Sequence, residues 1–276
     1  MNHPLISVIV TTYNNTTTLD ACLASIVNQS YDNVELIVVD NGSTDNTKEI
    51  ARTYTDSVYN VGPERSAQRN YGVNKAQGDY VMIIDSDMEL TRDVVTACVE
   101  QITIHPEQKG LVVPEESFGK GFWAQCKRLE RSFYVGVEWM EAARFFSRQT
   151  YLDLGGYNEQ LISGEDWDLS QRVAKVAPLG RVTEYIRHNE GHLQLGRTLK
   201  KKYYYAQKFA EYLKANKATS AVGSQTGIFT RYGLFFSRPQ HLFKRPGLGI
   251  GMLFMKTSEF AFGSIGYLMV RIKESR

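Results

Sequence analysis

The sequence predicts an α/β fold, a Rossmann-like and mostly parallel central sheet flanked by helices, followed by a C-terminal helical, amphipathic extension. Three observations carry this. Over residues 5–85, short apolar runs alternate with segments of helical spacing, the pattern of a parallel sheet covered on both faces. The runs at residues 34–39 and 80–84 are almost unbrokenly apolar, as strands buried on both faces are, and each stops at an acidic turn. Beyond Arg197, the segment TLKKKYYYAQKFAEYLK places Leu199, Tyr203, Ala206, Ala210 and Leu213 on one helical face with lysines around the rest. A chain of 276 residues suffices for one large α/β domain with an appendage.

In order, residues 5–10 read as a strand, and residues 16–29 as a helix with Leu19, Leu23, Ile26 and Val27 at helical spacing. A strand at 34–39 ends in the turn-forming Asp40-Asn41-Gly42-Ser43. A helix at 44–54, a short strand at 57–59 and a helix at 65–76 closed by Gly78 lead to the strand at 80–85. Residues 93–104 are expected to be helical, 110–114 and 143–147 extended, and 149–154 helical up to Gly155-Gly156. Residues 119–139 show no clean period. Residues 165–176 have helical spacing at Leu169, Val173 and Val176, which puts Glu165 and Asp166 at a helix amino end, where the macrodipole favours carboxylates. Residues 248–272 are apolar but interrupted by Lys256, Glu259 and glycines, short of a convincing membrane span. An interfacial or re-entrant segment and a packed helical hairpin both remain open there.

The net charge of +2 hides a division. Residues 1–196 carry 17 Lys+Arg against 27 Asp+Glu, and residues 197–276 carry 15 against 3. The basic part calls for an anionic partner, such as a membrane surface or a phosphate-bearing substrate. Its glycines and apolar length argue against nucleic acid. Cys22, Cys98 and Cys126 are scattered and odd in number, which indicates neither a disulfide framework nor a zinc site. Without a basic n-region or cleavage motif at the start, the expected location is cytoplasmic, peripheral on the inner face of the cell membrane.

The chemistry concentrates at strand ends. YVMIIDSD delivers Asp85, Ser86 and Asp87 to the end of a buried strand, and carboxylates there suit a hard cation, Mn²⁺ or Mg²⁺, shared with a nucleotide diphosphate. Asp40 ends the second acidic strand, where a carboxylate accepts from a base N–H or a ribose hydroxyl; a helix-capping turn is the alternative. Arg65 and Arg69 stand ready to share diphosphate charge. Glu165-Asp166 offers a base, since adjacent carboxylates in a partly dry cleft hold protons more tightly. Asp168 is expected to be an exposed helix acid. In YIRHNEGHLQL, expected to be a loop, His188 or His192 would complete a metal shell with Asp87, and Glu190 is a weaker candidate.

Four motifs occur in order: SVIVTTYNN after Pro4, VVDNGSTDNT, RNYGVNKAQGDYVMIIDSD, and LGGYNEQLISGEDWDL. Together they resemble the family 2 inverting glycosyltransferases of GT-A fold, over roughly residues 4–200. The resemblance implies a nucleotide-sugar binding half at 1–95 and an acceptor half at 96–196, the catalytic domain, with the extension at 197–276. It implies that Thr11, Tyr13 and Asp40 line the nucleobase pocket and that Arg69 lies near the diphosphate or ribose. It places Asp85 and Ser86 at the ribose or metal, Asp87 and His188 on the metal, Asp166 as base, and Glu165 in support. The implied partners are a nucleotide-sugar donor, UDP-sugar favoured, and a glycan or polyprenyl-phosphate-linked acceptor. A sugar nucleotidyltransferase would carry a glycine-rich basic loop where TTYNNTTT stands, and a non-catalytic carbohydrate or membrane-binding module would have no need of Asp87, Asp166 and His188 together.

Overall fold

The computed structural model describes residues 3–215 and 227–274. Its elements, in chain order, are β1 (Ile6–Thr12), α1 (Leu19–Val27), β2 (Val34–Asp40), α2 (Thr47–Arg52), β3 (Val58–Asn60), α3 (Arg65–Lys75), β4 (Tyr80–Asp85), β5 (Met88–Leu90) and α4 (Val94–Ile104). They continue with β6 (Gly110–Val112), β7 (Glu115–Lys120), α5 (Phe122–Ser132), β8 (Ala143–Ser147), α6 (Arg148–Asp153), α7 (Glu165–Ala174), β9 (Leu179–Arg181) and β10 (Ile186–His192). The C-terminal helices are α8 (Leu195–Ala215), α9 (Ile228–Phe236), α10 (Pro239–Leu242) and α11 (Pro246–Glu274). Backbone contacts divide the chain into two units.

The first unit holds the chain up to Glu115 with Ala142–Glu159 and Glu165–Asn189. Its seven-stranded sheet has the order β3-β2-β1-β4-β8-β6-β9. The first four strands are mutually parallel, β8 runs antiparallel to both β4 and β6, and β9 is parallel to β6. The α/β, mostly parallel architecture is therefore as expected. Side chains alternate between two cores. Val8 and Val10 of β1 and Met82 and Ile84 of β4 face α1 and α4, while Ile9, Val81 and Ile83 face α3, α6 and α7. A close approach holds α3 down: a side chain at Gly72 would meet Ile9 at 2.5 Å and Val39 at 3.2 Å. Gln68, buried, ties the same helix to the sheet by donating to the carbonyls of Thr12 (3.1 Å) and Val39 (2.6 Å).

The second unit comprises Glu116–Glu141, Gln160–Gly164 and the chain from Glu190 on. It is built on α5, α8, α9 and α11, with Cys126, Phe133, Phe235, Leu242, Met252 and Met255 in its core. The expected C-terminal helices are present, and residues 246–274 form one helix rather than a hairpin. Two of its glycines are close packing sites: a side chain at Gly266 would meet the Tyr203 carbonyl oxygen at 2.5 Å, and one at Gly249 the Leu242 carbonyl oxygen at 2.4 Å. Lys256 and Glu259, the charges that interrupt the apolar tail, are 5% and 4% exposed. Lys256 Nζ donates to Glu130 (2.5 Å) and Glu259 (2.8 Å), and Lys127 Nζ to Glu130 (2.8 Å). Burial opposes charge on all four, but pairing prevails: Lys127 and Lys256 are raised, Glu130 is held below the usual range, and Glu259 is lowered to about 2. Among the described residues, no helix is long and apolar enough to cross a membrane.

Candidate functional site

In the parallel register Thr12 stands beside Asp40 and Thr11 beside Asp85, so the carboxyl ends of β2, β1 and β4 form one edge. From β1 the chain proceeds to β2 and β3 on one side and returns to β4 on the other, which makes the β1/β4 boundary a topological switch point, where such sheets bind ligands. The loop after β1 is stitched across this edge. Asn14, in the left-handed region at φ 44°, donates its N–H to Ser43 Oγ (2.8 Å), and its side chain accepts from Thr44 N (2.9 Å). Asn15 Nδ2 donates to Ser86 Oγ (2.8 Å) and its N–H to Thr47 Oγ1 (2.8 Å). Thr11 Oγ1 donates to Asp85 Oδ1 (3.0 Å). Thr11 and Ser86 are buried, whereas Tyr13 is 59% exposed. Asp40 is fully buried and both its oxygens are taken by Ser43, through the backbone N–H (2.7 Å) and the hydroxyl. Asp40 thus holds the turn that follows β2.

Behind this edge lies an ionic cluster centred on Arg69, which α3 places with no exposure at all. Its Nη2 donates to both oxygens of Asp85 (2.8 and 3.1 Å), and its Nη1 to Asp166 Oδ1 (3.0 Å) and Glu165 Oε1 (3.4 Å). The Tyr157 ring lies 4.8 Å from the guanidinium. Arg65 Nη2 adds a second bond to Glu165 Oε1 at 3.0 Å. From β8, Arg144 Nη1 reaches Asp166 Oδ1 at 3.3 Å while its Nε donates to Glu115 (3.0 Å). Burial works against ionisation throughout the cluster. At Asp85 the arginines Arg69, Arg65 and Arg144 outweigh it and hold the carboxyl far below the usual range, and Arg69 and Arg144 are raised in turn by their carboxylates. Glu165 is the exception. Burial, reinforced by Asp166, pushes it above the ordinary value despite Arg69 and Arg65.

Asp87 and His188 meet on the adjoining strand pair. β10 runs antiparallel to β5 with His188 opposite Met88, and Asn189 N–H donates to the Asp87 carbonyl (2.8 Å). His188 Nε2 lies 3.1 Å from Asp87 Oδ2, with the Asp87 side chain 42% exposed. One carboxylate oxygen and one imidazole nitrogen at this spacing fit a divalent cation that takes its remaining oxygens from a diphosphate and water. No group of three or more His, Cys, Asp and Glu suited to a metal occurs among the described residues.

Two expectations need correction, that of a loop at His188 and His192 and that of an exposed Asp168. His188 and His192 belong to a strand, β10, not a loop, because the segment pairs with β5. Asp168 is buried rather than exposed; it accepts from Arg172 (2.8 Å) on its own helix. Glu190 accepts from Ser117 (2.7 Å) and pairs with Arg131 (3.5 Å). Gly155 and Gly156, both at positive φ, end α6, and a side chain at Gly156 would meet Asn70 and Tyr151. The sequence reading passed over Arg144, Glu115 and Asn15. Arg144, an arginine within the otherwise buried run ARFFS, carried a signal: a buried cation demands a carboxylate.

Glycosyl transferase family 2 matches residues 7–152, more than half of the chain, and the chain belongs to that family. An uncharacterized glycosyltransferase of Haemophilus influenzae is 43% identical over 102 residues, which are 34% of this chain and 40% of that protein. The GalNAc(5)-diNAcBac-PP-undecaprenol beta-1,3-glucosyltransferase of Campylobacter jejuni is 26% identical over 181 residues, 59% of this chain and 57% of that protein. The matched segments span less than two thirds of these relatives. Among solved structures, a mannosyltransferase from Pyrobaculum calidifontis in complex with GDP-Man and Mn²⁺ superimposes with TM-score 0.64 at 17% identity, covering 96% of this chain and 87% of that one. S. aureus TarS in complex with UDP-GlcNAc gives TM-score 0.52 at 17% identity, covering 98% and 92%. At these identities the likeness is one of fold, and the fold is GT-A.

Proposed function

We propose that the protein transfers a sugar from a nucleotide diphosphate sugar to an acceptor hydroxyl, with inversion, by a single in-line displacement. The observation that carries this reading is the Arg69 cluster, which joins a carboxylate at the donor-side strand end, Asp85, to the candidate base, Asp166. Both contacts to Asp166 fall on Oδ1. Its Oδ2 is then the atom that takes the acceptor proton as the acceptor oxygen bonds to the anomeric carbon. The bond from that carbon to the phosphate oxygen breaks, and its electron pair leaves with the nucleoside diphosphate. Arg69 and Arg144 orient Asp166, and Glu165 beside it, which burial pushes above the ordinary carboxylate range, supports the sugar or the helix start. Tyr13, Thr11 and the turn held by Asp40 receive the nucleotide end. Asp87 and His188 would hold Mn²⁺ or Mg²⁺, which when bound offsets charge on the leaving diphosphate.

UDP-sugars are the favoured donors, and the lipid-linked substrate named for the Campylobacter jejuni relative supports a polyprenyl-linked glycan as acceptor. The test is Asp166→Asn. Removing a general base costs about 10²- to 10⁴-fold in kcat, so the variant should lose at least 10²-fold while donor Kd is unchanged. Near-normal turnover would remove Asp166 from the role.

A further inference from the structure

Large apolar side chains left exposed among the described residues are unevenly placed. All but Tyr13, Val27, Ile104 and Val176 belong to the second unit. The densest group runs along α11. Its inward face is already filled: Met252 and Met255 are in the core, Gly266 abuts Tyr203, and Lys256 and Glu259 are paired. Yet Ile250, Phe254, Phe262, Ile265, Leu268 and Met269 are between 42% and 63% exposed. At 100° per residue these six fall within one sector of the helix, opposite the packed one, and form an outward stripe about 29 Å long. Trp123 continues it sideways from Phe254 (6.2 Å between rings) to Phe122 (5.0 Å from Trp123), itself 48% exposed.

The charges of the same segment are one-sided. Arg197, Lys200, Lys201, Arg238, Lys244 and Arg245 are exposed. The one acidic side chain described between residues 195 and 270 is Glu259, and it is buried. An exposed apolar stripe among cations, with no exposed carboxylate among the described side chains of residues 195–270, fits a surface that is apolar beneath and anionic at its rim. A second copy of this chain fits poorly, since a two-fold contact would set this patch against itself, cation to cation. A spanning helix is not available among the described residues. We infer that the α11 stripe seats the protein on the surface of an anionic lipid bilayer, lying in the interface rather than crossing it. The inference is independent of the transfer reaction, and its readout needs no activity.

The test is co-sedimentation of the full chain with vesicles of phosphatidylcholine alone or with 30 mol % phosphatidylglycerol added, about 0.1 M against 0.5 M salt, where screening lengths contract. Binding to the anionic vesicles should weaken at high salt and be small on phosphatidylcholine. Phe254→Ser/Ile265→Ser should lower it at least tenfold, and Lys244→Gln/Arg245→Gln about fivefold per charge removed, with unchanged circular dichroism and unfolding midpoints. Because all four side chains point outward, these variants are expected to fold. Wild-type binding that both variants retain, or no binding to either vesicle, would overturn the inference. So would lipid-free self-association, seen by light scattering, that Phe254→Ser/Ile265→Ser abolishes, since the stripe would then belong to a second copy.

Discussion

Arg69 and Arg144 divide the work of holding Asp166. Removing Arg69 would leave Asp85 without its hydrogen-bonded arginine and take one of two arginines from each of Glu165 and Asp166; breaking buried pairs in this way costs about 3–5 kcal/mol. Arg69→Met is therefore expected to destabilise the fold by that order, read by urea unfolding. Arg144→Met leaves Arg69 in place, so it is expected to lower kcat about tenfold or more with little change in donor Kd, and Arg144→Lys to recover only part, because one ammonium cannot span Glu115 and Asp166. Equal losses in kcat and donor affinity would mean that Arg144 serves binding instead. Glu165 gives a pH signature. Its raised value means that it binds its proton more tightly folded than unfolded, so the stability it contributes is full below about pH 4.5, the ordinary value, and is lost as pH rises through the folded value. The stability of wild type minus that of Glu165→Gln, which cannot ionise, should fall as pH rises above about 4.5; a difference that rises with pH would contradict the assignment.

At the scale of elements, what was legible follows from what each element buries. β4 announced itself because a central parallel strand is apolar on both faces, and its end marked Asp85, Ser86 and Asp87. α5 did not, because its inward positions are Ala124, Cys126 and Glu130 while Phe122 is outside, which erases the apolar period. β10 was hidden for a related reason: IRHNEGH is polar, with Ile186 its one fully buried residue, and its strand character comes from pairing with β5. The glycines and charges of α11 looked like defects of a membrane helix, yet Gly251 and Gly266 pack against Phe122 and Tyr203, and Lys256 and Glu259 pair with Glu130 and Lys127. Two predictions belong here. Gly266→Val should destabilise the second unit by about 1–3 kcal/mol by forcing the α8 backbone away. Glu259, despite its burial lowered to about 2 by Lys127, Lys256 and Lys202, contributes stability present above about pH 4.5 and lost as pH falls toward 2; Lys127→Met or Lys256→Met should each reduce that part of the acid transition in urea unfolding.

At the scale of the whole molecule, the charge division seen in the sequence, an acidic body and a basic end, has distinct structural counterparts. Acids of the first unit are held in the Arg69 cluster and the strand-end turns, while Arg197, Lys200, Lys201, Arg238, Lys244 and Arg245 stay at the surface. The sequence therefore raised the expectation of an anionic partner but not the outward stripe, because exposure along α11 depends on which helices pack against its other side. The central claim, a donor site built on the β1, β2 and β4 ends and completed by Asp87 and His188, is tested most directly by titration calorimetry. UDP, GDP, dTDP and CDP are titrated with and without Mn²⁺ into wild type and Asp87→Asn. The account predicts selective binding of one nucleotide, UDP favoured, that requires Mn²⁺ and is lost in Asp87→Asn. Binding of none of the four, or binding indifferent to both the metal and Asp87, would contradict it.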